Sequence, residues 1–443
     1  MLTLWNESIW TDEGFSALAV MKSFKEMMGI VMRDTAPPGF YFIGWLWVRI
    51  FGNSEVALRS LSLLLILGAA FFGALLVYHF GKNKLLAILA FILCFFNPFS
   101  FAYAFEFRMY ALLAFATMGS IYFFVTKKWW PFIGITLLAL YTQHFALFTV
   151  AAEVVIFLIE KIKLNKNKIN FKELIKSLWP FWVIGLLYLP WVYPLYLQTT
   201  RVQDSGFWIP IPKINDFKNL VLKFIMVDGA GIWTKVSWIL TVIILLLKDW
   251  KKYFDTWWKI LLLLFSSAIF SFGLSFVMTP IFFDRYLLSI AVGMGVLLVL
   301  GSKKKAMPFL IILAAIYLYF SFFSFVHPNK DNFRDLADFI KTEKKSDDLL
   351  INYNGKNHRL WESKYYGLEG PIYIPEGELP LYVGTAQMVE GDKLRVLPDN
   401  PSRILVITSE KYEEVELDGP WVKYFQKEFG KLRVIYFRKS ILL

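Results

Sequence analysis

Of the 443 residues, 57% are hydrophobic and 19% aromatic, and the mean hydropathy is positive. That excludes an ordinary soluble domain of this size and points to a polytopic α-helical membrane protein. The formal charge of +12 does not indicate a nucleic-acid partner, because the lysines fall in short clusters between apolar runs, where they set membrane orientation. The lone cysteine, Cys94, excludes an intramolecular disulfide.

Residues 1–56 read as a loop with surface helices. The stretch SIWTDEGFSA sets Asp12 beside Glu13, between Trp10 and an apolar run. A carboxylate near a hydroxyl can act as general base while its neighbour holds a metal or orients the acceptor. The plainer reading is a helix start with Thr11 as cap and the acids in its first turn. Residues 15–51 are broken by charges and by Pro37-Pro38, so they fit amphipathic helices lying on a surface better than a span. The proline pair, after Asp34, is a stop between two such helices. The opening residues lack a basic segment followed by an apolar core, so no signal peptide is read there.

Residues 57–326 hold about ten apolar runs able to span, near 57–80, 85–104, 110–126, 131–143, 145–160, 178–197, 233–247, 257–280, 285–301 and 306–326. Lysine clusters at 82–84, 127–128, 160–176, 248–252 and 303–305 assign those ends to the cytoplasm. The stretches EFRMY, YTQHF, FFDRY and the 198–232 loop then lie on the far side. With both chain ends also outside, the simplest reading is a first transmembrane helix preceding Met1. A short tail translocated by itself is the other reading. From residue 327 onward the composition turns mixed and charged, with strand-like runs DDLLINY, RILVITS and KLRVIYF. A helical pattern in DNFRDLADFIKTEKK can be capped by Asp331 or Asn332. Residues 327–443 therefore read as a small extracytoplasmic α/β domain.

The outer mouths carry the candidate chemistry. Glu106, Arg108 and Tyr110 fall at one and Asp284, Arg285 and Tyr286 at another. Two arginine forks at matching depth can clamp a lipid phosphate, or each can pair with the carboxylate of its own loop. Gln143 and His144 lie at the turn of a broken hairpin, where non-helical backbone must be buried in protein or line a wet cavity. His144 can donate to phosphate, ligate a metal, or be a satisfied interior residue. An HExxH pair, a phosphate-cradling glycine loop and a GxSxG elbow are absent from the sequence, so a nucleotide-borne donor is not indicated.

These pieces, IWTDEGFS, APPGFYFIGWLWVRIFGNSEVALRSLS, EFRMYAL, YTQHFAL and DRYLL, together resemble GT-C type membrane glycosyltransferases. The likeness is to the protein O-mannosyltransferase and aminoarabinose-transferase group, over most of residues 1–300. The resemblance implies a GT-C-like helix bundle that moves a hexose or pentose from a polyprenyl-phosphate carrier, with inversion, on the extracytoplasmic face of a bacterial or archaeal cell membrane. It makes Asp12 the base and Glu13 a contact to acceptor or metal. Arg108 and Arg285 become the donor-phosphate ligands, with Arg59 a weaker one, and Asp34, Glu106, Tyr110, Gln143, His144 and Tyr286 line the cavity. A divalent metal ion is left open as cofactor. The acceptor is a protein, a glycolipid or a polymer. Some relatives carry His before the proline pair, where this chain has Ala36, and family members begin with a helix ahead of the acidic pair. The competing readings are an oligosaccharyl or polymer-forming transferase on the same scaffold and a transporter or flippase.

Overall fold

The computed structural model describes residues 2–164, 171–227 and 230–440. They form two compact units: residues 1–34, 45–58 and 327–443 in one, residues 35–44 and 59–326 in the other.

The larger unit is a helix bundle. Its centre is the helix Leu288–Val299, buried at every residue, which packs against Lys84–Phe95 and Met109–Val125. Small residues make that approach possible: a Cβ on Gly295 would stand 2.7 Å from the Cys94 backbone nitrogen, so the two backbones meet directly. The end of the central helix is closed by Lys248. That residue is buried to 3% exposure and its ammonium donates to Leu298 O at 2.8 Å and to Leu300 O, carbonyls the helix leaves without partners.

Each apolar run contains a helix. Among the described residues, four helices are long and apolar enough to cross a membrane unaided: Glu55–Gly81, Trp179–Asp204, Trp250–Leu274 and Lys304–Val326. Others are shorter for local reasons. The 85–104 run is cut where Asn97 caps a new helix with Pro98 at its first position, and the 285–301 run begins with a 3₁₀ turn, Asp284–Leu287. The 198–232 loop is not bare loop, since it carries the amphipathic helix Ile214–Ile225. The last carbonyls of that helix are taken by buried side chains: Asn97 donates to Phe224 O at 2.7 Å and Tyr317 to Ile225 O.

The proline stop is tacked down at its far end. Gly39 N donates to Tyr141 O at 2.6 Å, and a Cβ there would stand 2.7 Å from the same oxygen. Backbone cannot yield as a side chain can. Gly39→Ala should therefore lower the melting temperature of the detergent-solubilised protein by several degrees, an overpacking cost of about 1–3 kcal/mol.

The smaller unit holds a six-stranded sheet: β1 Asp348–Tyr353, β2 Ile372–Tyr373, β3 Lys393–Leu394, β4 Arg403–Thr408, β5 Trp421–Phe429 and β6 Leu432–Lys439. The order is β3-β2-β1-β4-β6-β5, parallel up to β4 and antiparallel for β6 and β5. Alternation decides the faces. Leu350, Leu405, Ile407, Val434 and Tyr436 pack with Phe333, Leu336 and Ile340 of the helix Phe333–Glu343, while Ile351, Ile404, Val406, Ile435 and Phe437 gather on the other side. Of the two expected caps, Asn332 serves, accepting from Asp335 N.

His358 is buried among these elements. Its Nδ1 accepts from Leu360 N at 3.3 Å, so Nε2 carries the proton and donates to Val383 O at 3.2 Å. Burial pushes the imidazole down to about 4. The unfolded chain takes up this proton near pH 6.5, so stability is complete above that pH and falls by up to about 3 kcal/mol as pH drops from 6.5 to 4. Melting temperatures across that range should decline less in His358→Gln than in the parent.

Candidate functional site

In the larger unit two separate segments bring their arginines to one ring. After the helix Pro98–Tyr103 the chain turns, with Ser62 donating to Glu106 O at 2.6 Å and Arg108 N to Glu106 O at 2.8 Å. Arg108 is the extended N-cap of Met109–Val125, so its side chain leaves the helix at its mouth. The second segment is folded back by Ser275. Its hydroxyl accepts from Ile281 N and Phe282 N at 3.0 and 3.1 Å and donates to Ser271 O at 2.7 Å. Asp284 Oδ1 then accepts from Arg285 N at 2.7 Å within the 3₁₀ turn.

The guanidinium carbons of Arg108 and Arg285 lie 5.6 and 5.7 Å from the centroid of the Tyr110 ring. Arg285 also faces Phe283 at 5.2 Å and Trp208 at 5.3 Å. Tyr286 stands 5.7 Å from Tyr110 and 5.4 Å from Phe145, and Tyr103 5.8 Å from Tyr110. A third cation joins them, since Lys223 of the helix Ile214–Ile225 meets Asp284 Oδ2 at 2.5 Å. The result is a half-buried aromatic cluster that gathers Arg108, Arg285 and the Lys223–Asp284 pair, in which quadrupole faces steady the guanidiniums.

The other expected residues of this unit lie among its helices and turns. Arg59 is buried to 1% exposure on the helix that carries Ser62. Gln143 accepts from Phe145 N at 3.1 Å and so builds its own turn. His144 directs Nε2 to Gln198 Oε1 at 3.2 Å and Nδ1 to Tyr188 at 3.5 Å, and burial pushes it down to about 4. Gln198 in turn reaches Ala36 O at 3.5 Å. With both ring nitrogens facing protein, His144 ties the proline stop to the helix Trp179–Ser205, and this geometry favours the interior reading over metal or phosphate.

In the smaller unit Asp12 and Glu13 begin the helix Thr11–Met21. Thr11 does not cap it. The N-cap is Trp10, without a side-chain hydrogen bond, and the Thr11 hydroxyl instead donates to Glu362 at 2.8 Å. Asp12 is half-buried. Glu13 is fully buried and meets Lys330 Nζ at 3.0 Å. Asp34 is the extended C-cap of the helix Phe24–Arg33. Among the described residues no group of three or more His, Cys, Asp or Glu is placed to hold a metal ion. Sequence reasoning passed over Lys223, Trp208, Tyr103, Lys330 and Glu362. Only the amphipathic pattern around Lys223 gives any signal for them, since their partners lie far along the chain.

No protein-family model matches this chain, and no curated protein does. Solved structures do. An ArnT from Cupriavidus metallidurans in the apo state superposes with a TM-score of 0.61, covering 98% of this chain and 95% of that one at 13% identity. The same protein bound to undecaprenyl phosphate gives 0.59, covering 98% and 94% at 12% identity. The chain thus has the GT-C type fold of ArnT over nearly its whole length.

Proposed function

We propose that this chain is a membrane glycosyltransferase that takes a sugar from a polyprenyl-phosphate carrier and passes it, with inversion, to an acceptor on the extracytoplasmic face. The observation that carries the reading is the convergence of Arg108 and Arg285 on Tyr110, in a chain sharing the fold of a protein solved with undecaprenyl phosphate bound. A guanidinium presents a planar fork that matches phosphate oxygens, and two such forks at one ring suit a phosphate headgroup.

The chemistry then divides among these residues. Asp12 takes the proton of the acceptor hydroxyl, whose oxygen attacks the anomeric carbon. The bond from that carbon to the phosphate oxygen breaks, and its electron pair leaves with the polyprenyl phosphate. Charge grows on this leaving group in the transition state, where preplaced arginines act most strongly. Lys223 pairs with Asp284 and so offsets that carboxylate's charge beside Arg285. Arg59, buried in the same unit, is the weaker candidate for the donor phosphate.

The test is release of undecaprenyl phosphate by the full chain in lipid nanodiscs, supplied in turn with radiolabelled undecaprenyl-phosphate-linked pentoses and hexoses. At least one donor should be consumed, and consumption should fall at least about 100-fold in Arg108→Ala. A chain that binds no undecaprenyl phosphate, or binds it equally well without both arginines, would overturn the reading.

A further inference from the structure

Resting on the reading of Asp12 as base, we propose that the C-terminal α/β domain is a positioning device for Asp12, with Lys330 its principal positioning residue, acting through Glu13. Nothing in the sequence assigns this domain a role. Its side chains nevertheless take hold of the helix Thr11–Met21 at every residue flanking Asp12. Thr11 donates to Glu362, Glu13 meets Lys330, Gly14 approaches the Trp361 backbone so closely that a Cβ would stand 3.1 Å from it, and Phe15 packs edge-on to the Trp361 ring at 5.4 Å.

Helical geometry gives this pattern its meaning. At about 100° per residue, Thr11, Gly14 and Phe15 share one face, Glu13 points roughly opposite, and Asp12 projects between them. Contacts on one face alone would let a short helix roll. Contacts on both sides fix its rotation and so fix the direction of the Asp12 carboxylate.

The polar contacts are costly ones. Glu13 is 0% exposed and Glu362 1%, and taking carboxylates out of water is strongly unfavourable unless they are well paired. Apolar docking was already available from Ala17, Ala19 and Val20, all at 0% exposure. The buried acids therefore serve register more than adhesion. Lys330 is suited to impose it: its ammonium also reaches Glu7 Oε1 at 3.4 Å and its amide donates to Glu7 Oε2 at 3.2 Å. Two residues later Asn332 caps the helix that lies on the sheet, so the lysine is anchored to the rigid layer. Glu13, closed in this way, braces its neighbour.

The experiment compares Lys330→Met, Lys330→Arg and Glu362→Gln with the parent and with Asp12→Asn, as full chains in nanodiscs. Amide hydrogen exchange over residues 11–21 and turnover of the most active undecaprenyl-phosphate-linked sugar are both read. Lys330→Met should speed exchange in that helix and cut kcat roughly 10- to 100-fold, with the donor KM within about twofold, and Lys330→Arg should recover most of the rate. Unchanged exchange over residues 11–21 in both Lys330→Met and Glu362→Gln would overturn the proposal, whatever the activity. So would full turnover in Lys330→Met where Asp12→Asn is inactive. Full turnover in Asp12→Asn would instead overturn the assignment of the base, with the exchange data still deciding whether the clamp exists.

Discussion

Asp12→Asn should leave a folded protein whose sugar transfer is slowed roughly 10²- to 10⁴-fold, the range that general-base assistance contributes. The fold should tolerate it. Asp12 is only half-buried, and its backbone carbonyl, which accepts from Ser16 at 3.1 Å, is untouched by the change. Asparagine keeps the shape and the polarity but has no proton affinity to offer. Initial rates at saturating donor, with the melting temperature measured beside them, separate the loss of a base from loss of structure. A rate within threefold of the parent would remove Asp12 from the reaction.

Arg108→Ala and Arg285→Ala should each cost about 3–4 kcal/mol of transition-state stabilisation, or some 10²- to 10³-fold in kcat. The affinity for undecaprenyl phosphate, measured by thermal shift, should fall as well. Because both guanidiniums surround the same Tyr110 ring, the double variant should lose less than the product of the two single effects. Lysine should restore binding in part and the rate poorly, since an ammonium lacks the planar fork. Equal transfer rates in Arg285→Ala and the parent would exclude it from the donor site.

Much of the architecture can be read from hydrophobic runs, because a run long enough to bury itself has little choice but helix. The apolar stretches from 57 to 326 all contain one, and the alternating segments around 348, 403 and 432 become β1, β4 and β6. What escapes is whatever depends on distant partners. β5, written WVKYFQKEF, carries charge on an edge that the neighbouring β6 alone pairs, so its own pattern is weak. The helix Ile214–Ile225 is hidden in a loop because its C-terminal end is satisfied by Asn97 and Tyr317, which local sequence cannot reveal. Thr11 looked like a cap because caps are local, yet its hydroxyl had a partner 351 residues away. The convergence of Arg108 with Arg285 was expected from loop parity, whereas the ring between them and Lys223 behind Asp284 were not. His144 is a further case of distant partners. A histidine in a turn invites a functional reading, and here Gln198 and Tyr188 occupy it.

The pairing of Glu13 with Lys330 spans 317 positions of chain. Ribosomes add roughly 5–20 residues per second, so a nascent molecule carries the acidic helix for about a quarter of a minute to a minute before its counterpart has been made. Biosynthesis thus imposes an order of events: the bundle can be threaded into the bilayer well before the clamp exists. The acidic helix gains its final setting only as the last quarter of the polypeptide emerges, and a prematurely terminated product would be born without its orienting half.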